Sequence, residues 1–183
     1  SPAAAERLAE ADAIEVCRRL GPAVFGEEDE TLQSTVARLL IERKETIATA
    51  ESCTGGLLAE RLTEIPGSSA YFLGGVIAYA NAVKHSALGV PVETLAEFGA
   101  VSEQTARAMA RGARRVLSAD IGLSVTGIAG PGGALPGKPV GLTWIALPED
   151  SRERLATLEN PEAEGSAAGR LHAWKVGLRM VKD

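Results

Sequence analysis

Apolar residues recur at helical spacing in several stretches, and short β-type runs separate them. Residues 3–20 carry Leu8, Ala11, Ile14, Val16 and Leu20 roughly along one face, and Gly21 can end that helix. After the acidic break Gly26-Glu27-Glu28-Asp29-Glu30, a second helix is predicted over 31–44, with Leu32, Val36, Leu39 and Leu40 inward. Thr46-Ile47-Ala48-Thr49-Ala50 is a short β-type run that leads into Ser52. Residues 55–64 read as a helix, which Ile65-Pro66-Gly67-Ser68-Ser69 stops. A second strand is predicted over 73–79 and short helices over 80–87 and 92–97. Ser102 can cap a long helix over 103–117, with Ala106, Met109, Ala110, Ala113 and Leu117 facing the core. Residues 121–125 are a third strand and 140–147 a fourth, with a Gly/Pro-rich loop at 126–133 between them. Residues 149–165 are polar and weakly patterned; 154–158 read as a poor edge strand, and a last helix runs over 167–181.

Strands alternating with helices predict an α/β fold, a three-layer α/β/α sandwich around a central mixed sheet. Residues 1–30 read as an N-terminal helical appendage and 31–183 as the main domain. Composition refines the core: 45% of the 183 residues are hydrophobic but only 4% are aromatic, so Ala, Val, Leu and Ile must fill it. Twenty glycines imply tight turns and close approaches. A net charge of −5 argues against general affinity for nucleic acid or an anionic membrane. The two cysteines, Cys17 and Cys53, form no disulfide framework or metal site, which suits a reducing, cytoplasmic setting. No apolar run has a membrane span's length, and the first residues lack the pattern of a signal peptide. The chain does not begin with Met, as expected of a trimmed or excised segment.

Three elements could carry chemistry. In Ala50-Glu51-Ser52-Cys53-Thr54-Gly55-Gly56, a β-run enters, small residues turn and a helix leaves. That sets the Ser52 hydroxyl near backbone N–H groups able to stabilise an anion. Two readings stand on local pattern alone, a nucleophile and a helix cap. A nucleophilic serine needs a base, and neither His85, in a polar helix, nor His172, beside Trp174, lies in a promising context. A lysine can serve if burial keeps it neutral. Lys84 is the best candidate, since Tyr79-Ala80-Asn81-Ala82-Val83-Lys84 places a phenol and an ammonium near a strand end; the competing reading is a solvated helix lysine. The third element, Thr126-Gly127-Ile128-Ala129-Gly130-Pro131-Gly132-Gly133, suits a phosphate or carboxylate, but lacks the spacing of a nucleoside-triphosphate or dinucleotide loop. Cys53 reads as a small buried thiol, and no carboxylate pair has metal-ligand spacing, so neither metal nor cofactor is expected.

Taken together these residues resemble the CinA C-terminal domain, the family of PncC-type nicotinamide mononucleotide (NMN) deamidases. The resemblance rests on the Ala50–Gly56 motif, Pro66-Gly67-Ser68-Ser69, Gly74-Gly75-Val76 with Tyr79 and Lys84, and Gly99-Ala100-Val101-Ser102. It continues through Met109-Ala110-Arg111-Gly112, the 126–133 loop and Lys138-Pro139-Val140-Gly141, and covers about residues 32–147. It implies hydrolysis of the NMN carboxamide to nicotinic acid mononucleotide and ammonia, without metal. It also implies roles: Ser52 the nucleophile, Lys84 the general base and Tyr79 its hydrogen-bonding partner. Cys53, Thr54, Gly55, Asn81, Thr126, Gly127 and Gly130 would lie around the substrate. A homodimer is expected, with a small nucleotide as ligand and neither nucleic acid nor membrane as partner. Residues 1–31 resemble the tail of the segment that precedes this domain in two-domain relatives.

One region departs from the family pattern. Gly-Asp-Arg is usual just before the last helix, its arginine expected to hold the substrate phosphate. Here Glu164-Gly165-Ser166-Ala167-Ala168-Gly169-Arg170 sets Ser166 at that position, and Arg170 could substitute from one helical turn away. A lost phosphate contact costs about 2–5 kcal/mol by analogy with truncated buried charge pairs. The alternatives are therefore a non-catalytic or regulatory nucleotide-binding domain, and a Ser–Lys amidase for an unphosphorylated amide.

Overall fold

The computed structural model describes residues 2–21, 24–26, 29–148 and 151. Two compact units divide the chain, with a boundary between Thr35 and Val36. The first contains helix α1 (Pro2–Leu20) and the start of α2 (Leu32–Arg43). Glu15 pairs with Arg18 and Arg19 along α1, both at 2.7 Å, in exposed contacts of small worth. The helix forms where its spacing predicts, but it buries no residue, and Leu8, Ile14, Val16 and Leu20 are exposed. Spacing sets a helical stripe; burying it needs a second element.

The second unit is Val36–Leu155. From α2 it buries Val36, Ala37, Leu39 and Leu40, whereas Leu32, expected inward, is exposed. Strand β1 (Ile47–Glu51) is buried along its whole length, as a central strand should be. Helix α3 (Leu57–Thr63), a 3-10 turn (Ser68–Ala70) and strand β2 (Phe72–Ile77) follow. Helices α4 (Asn81–Leu88), α5 (Val92–Phe98) and α6 (Glu103–Leu117) lead to β3 (Ile121–Gly127) and β4 (Thr143–Ala146).

The strand order is β2-β1-β3-β4. β1 runs parallel to β2 and β3, and β4 is antiparallel to β3, so the sheet is mixed. Alternation along β1 separates the faces. Ala48 and Ala50 join Met109 and Ala113 of α6 in one core cluster. Glu51, one residue on, points to the other face, where it meets the start of α3. Helices thus cover both faces in an α/β/α arrangement.

The scarcity of aromatics has a structural counterpart. Helix α6 turns Thr105, Ala106, Ala108, Met109, Ala110, Gly112 and Ala113 inward. These small side chains let its backbone approach the sheet and α4 closely. A Cβ on Gly112 would collide with the Leu88 carbonyl, and one on Gly122 with the Ala110 carbonyl. Ser102 caps α6 as predicted, accepting from the Thr105 N–H at 3.2 Å.

The strand boundaries differ from expectation: β1 and β2 each shift by a residue or two, to Ile47–Glu51 and Phe72–Ile77. β3 continues through Thr126 and Gly127, which pair with Trp144 and Thr143 rather than opening the loop. β4 begins only at Thr143, because Gly141 turns the chain at φ 91°. The predicted strand at 154–158 and helix at 167–181 lie outside the described residues. No described helix is long and apolar enough to cross a membrane.

Candidate active site

Ser52 follows the last residue of β1 and is clamped by the neighbouring strands. Its N–H donates to the Val125 carbonyl at 2.9 Å, while the Glu51 carbonyl accepts from the Ala78 N–H at 2.7 Å. The chain end of β2 then turns into α4. Lys84, on the first turns of α4, sends its side chain back under this junction and is only 1% exposed. Its Nζ lies 3.0 Å from Ser52 Oγ, 2.8 Å from the Ala78 carbonyl oxygen and 3.1 Å from that of Tyr79. Burial pulls the Lys84 pKa below the usual lysine range, and the neighbouring Cys53 opposes this. Lys84 is therefore not a solvated helix lysine: the position is inward, and the hydroxyl and two carbonyls that Nζ bonds are all uncharged.

Tyr79 meets Lys84 differently from expectation. Its main-chain carbonyl, not its phenol, accepts from Nζ, and the residue is 74% exposed. The reason is alternation: Ala78 is fully buried, so the next side chain turns outward. Asn81, the first residue of α4, is also exposed.

Cys53 is half-buried with its sulfur close to Gly127, where a Cβ would stand 3.0 Å from Sγ. The Ser52 turn and the end of β3 are thus neighbours. Burial pushes the Cys53 thiol up, opposed first by its own N–H and by Lys84 and the Thr54 N–H. Thr54 Oγ1 is buried with no hydrogen-bond partner among the described residues, and Gly55 is exposed at φ 62°.

Sequence reasoning missed Glu51. Its side chain, 1% exposed, accepts from three main-chain N–H groups: Gly56 and Leu58 on Oε2, both at 3.0 Å, and Ala59 on Oε1 at 2.8 Å. The amides expected to greet an anion at the start of α3 are therefore already occupied. The available signal was a glutamate ending an otherwise uncharged strand, followed by a glycine-rich turn.

The Thr126 hydroxyl is buried and donates to the Ala100 carbonyl at 2.8 Å, so it ties β3 to the start of α6. Lys138 ties the far side of the loop to the end of α5, donating to the Phe98 carbonyl at 2.6 Å. Gly130 is exposed at φ 86°. Arg170 lies outside the described residues. Among the described residues no group of three His, Cys, Asp or Glu side chains could hold a metal ion.

The chain's sequence matches the CinA C-terminal domain family over residues 29–183. A protein of Desulforudis audaxviator named for competence-damage induction is 51% identical over 182 residues, 100% of this chain and 44% of that protein. A CinA-like protein of Geobacter sulfurreducens is 55% identical over 132 residues, 72% of this chain and 32% of that one. The chain thus spans less than half the length of these curated relatives. Among solved structures, the competence/damage inducible protein CihA from Agrobacterium tumefaciens is 47% identical with a TM-score of 0.60, over 67% of this chain and 76% of that one. The competence damage-inducible protein A (ComA) from Klebsiella pneumoniae is 33% identical with a TM-score of 0.64, over 82% and 91%. With a family match over residues 29–183, relatives of high identity and solved structures of the same superfamily, the chain belongs to the CinA C-terminal domain family.

Proposed function

We propose that the chain is an amidohydrolase that converts NMN to nicotinic acid mononucleotide and ammonia, with Ser52 as nucleophile and Lys84 as general base. The observation that carries this reading is the surroundings of Lys84 Nζ. A neutral amine has two N–H donors and one lone pair. The Ala78 and Tyr79 carbonyls can only accept, so they take the two donors. The lone pair is left for the Ser52 hydroxyl, 3.0 Å away. Burial favours that neutral form.

In this reading Lys84 takes the Ser52 proton as Oγ attacks the carboxamide carbon. The ammonium then returns the proton to the leaving nitrogen as the C–N bond breaks, releasing ammonia. Water attacks the resulting ester with Lys84 again as base, freeing the acid and restoring Ser52. Since Glu51 occupies the Gly56, Leu58 and Ala59 amides, the donors for the oxyanion in this reading are the N–H groups of Cys53 and Thr54 in the turn itself. The exposed Tyr79 phenol and Asn81 would border the substrate, as would Gly127 and Gly130. NMN is the substrate implied by the family resemblance. The ligand is thus a small nucleotide, and the expected assembly is a homodimer.

Ammonia release from NMN tests the reading. Ser52→Ala and Lys84→Met should each lose activity, by about 10²–10⁴-fold or more for a missing proton-transfer step. Wild-type rates in either variant would reject the assignment. A second reading, a non-catalytic nucleotide-binding domain, is favoured by Ser166 standing where the family has its arginine. Calorimetric binding of NMN without ammonia release at high protein concentration would support it.

A further inference from the structure

We propose that Glu51 is a positioning residue for Ser52: its buried carboxylate, which bridges β1 and α3, sets the turn that holds the nucleophile against Lys84. This rests on the reading of Ser52 as an activated serine. The side chain is not a local helix cap. Gly56 stands at the cap position of α3, at φ 112°, and supplies no side-chain bond. The cap instead comes from the strand, through bonds to the N–H groups of Gly56, Leu58 and Ala59.

The turn is consequently fixed at both ends by one residue. At its start, the Glu51 carbonyl accepts from the Ala78 N–H, and the next residue's N–H reaches Val125. Ala78 in turn offers its own carbonyl to Lys84 Nζ. At its end, the Glu51 carboxylate gathers the three amides of α3. Between these points the backbone braces the turn only locally, with the Gly55 N–H donating to the Ser52 carbonyl at 3.2 Å and the Leu57 N–H to the Thr54 carbonyl at 3.1 Å among the described residues. The position of Ser52 Oγ relative to Nζ thus depends on the Glu51 anchor.

The same bonds determine which amides face a reacting carbonyl. With the α3 amides consumed, the donors still free for an oxyanion come from the turn itself. Glutamine has the same length but only one acceptor oxygen. In Glu51→Gln its NH₂ group must oppose either the Ala59 N–H or the Gly56 and Leu58 pair, and the turn must shift. Aspartate keeps the charge but is one methylene too short to reach all three amides.

The test uses the full chain and a fluorophosphonate probe, which an activated serine attacks at phosphorus with loss of fluoride. Wild type, Glu51→Gln, Glu51→Asp and Ser52→Ala are followed by mass spectrometry, urea unfolding and ammonia release from NMN. Wild type should label on Ser52; Glu51→Gln should remain folded and label about 10–100-fold more slowly, with Glu51→Asp between them. A folded Glu51→Gln or Glu51→Asp protein that is less stable yet labels at the wild-type rate makes Glu51 a structural cap only and overturns the proposal. If Glu51→Gln does not fold, Glu51→Asp decides alone by the same criterion. A wild type that labels on Ser52 but releases no ammonia from NMN rejects the substrate, while the labelling series still decides the role of Glu51. A wild type that does not label overturns both.

Discussion

The side-chain chemistry of the site turns on one proton. Lys84 is buried beside a hydroxyl and two carbonyls, and burial lowers its pKa from the ordinary 10.5. In the proposed mechanism the neutral form is the base, so ammonia release should rise with pH through an inflection below the ordinary lysine value. A pH–rate profile with an inflection at or above that value would contradict the assignment. Stability follows with a defined sign. Between the folded and ordinary pKa values the unfolded chain binds the extra proton, so stability rises with pH across that window. Below the folded pKa both forms are protonated, and the cost of burying the ammonium is carried in full. Lys84→Met removes this dependence, so urea unfolding should show wild type gaining on the variant as pH climbs toward 10.5. Tyr79→Phe tests a separate point. The carbonyl that holds Nζ survives the substitution, and the lost hydroxyl belongs to an exposed side chain, so the inflection should stay where it is in wild type. A displaced inflection would mean that the phenol reaches Lys84 in the working enzyme.

At the scale of elements, the site depends on how closely α4 is held, because α4 carries Lys84. Gly112 of α6 lies against the Leu88 carbonyl at the far end of that helix. Gly112→Ala forces the two backbones apart, and the expected loss is about 1–3 kcal/mol of unfolding free energy, typical of overpacking. Lys84 should then move relative to Ser52, so fluorophosphonate labelling should slow as well. Ser102→Ala, which removes the α6 cap, should cost about 1 kcal/mol and leave labelling unchanged, since the Ser102 hydroxyl bonds Gly99 and Thr105 rather than Ser52 or Lys84. These elements also show what sequence reveals. The β-run before Ser52, the apolar face of α6 and the Ser102 cap are local patterns, and each was legible. Lys84 was ambiguous because its burial arises from the β2–α4 junction, and a lysine at helical spacing looks solvated on its own. Glu51 was invisible for a related reason: its three partners are amides, which have no side-chain signature. Thr126 and Gly127 were assigned to the loop because glycine suggests a turn, whereas pairing with β4 keeps both in the strand. The exposed stripe of α1 shows the same limit from the other side, since period alone does not supply a partner.

For the whole molecule, charge is the discriminating property. The chain carries −5 overall, and NMN, the proposed substrate, would bring a phosphate, so its binding would need a local cation to offset repulsion. Lys84 cannot serve, because the proposed role as base requires it to be neutral. Lys138 is held by the Phe98 carbonyl, and the pair formed by Arg107 and Glu103 at 2.6 Å is already internal to α6. The family resemblance points to Arg170, one helical turn from the position where the family has its arginine. If it holds the phosphate, Arg170→Ala should raise KM for NMN by an amount equivalent to about 2–5 kcal/mol and leave hydrolysis of nicotinamide riboside unchanged, since the riboside has no phosphate to lose. Ser166→Arg, which restores the family residue, should lower KM for NMN selectively and rescue Arg170→Ala at least in part. Equal effects of Arg170→Ala on both substrates would assign that residue to folding instead. Faster turnover of the riboside than of NMN by the wild type would identify the chain as an amidase for unphosphorylated amides, with the Ser52–Lys84 chemistry retained and the phosphate preference absent.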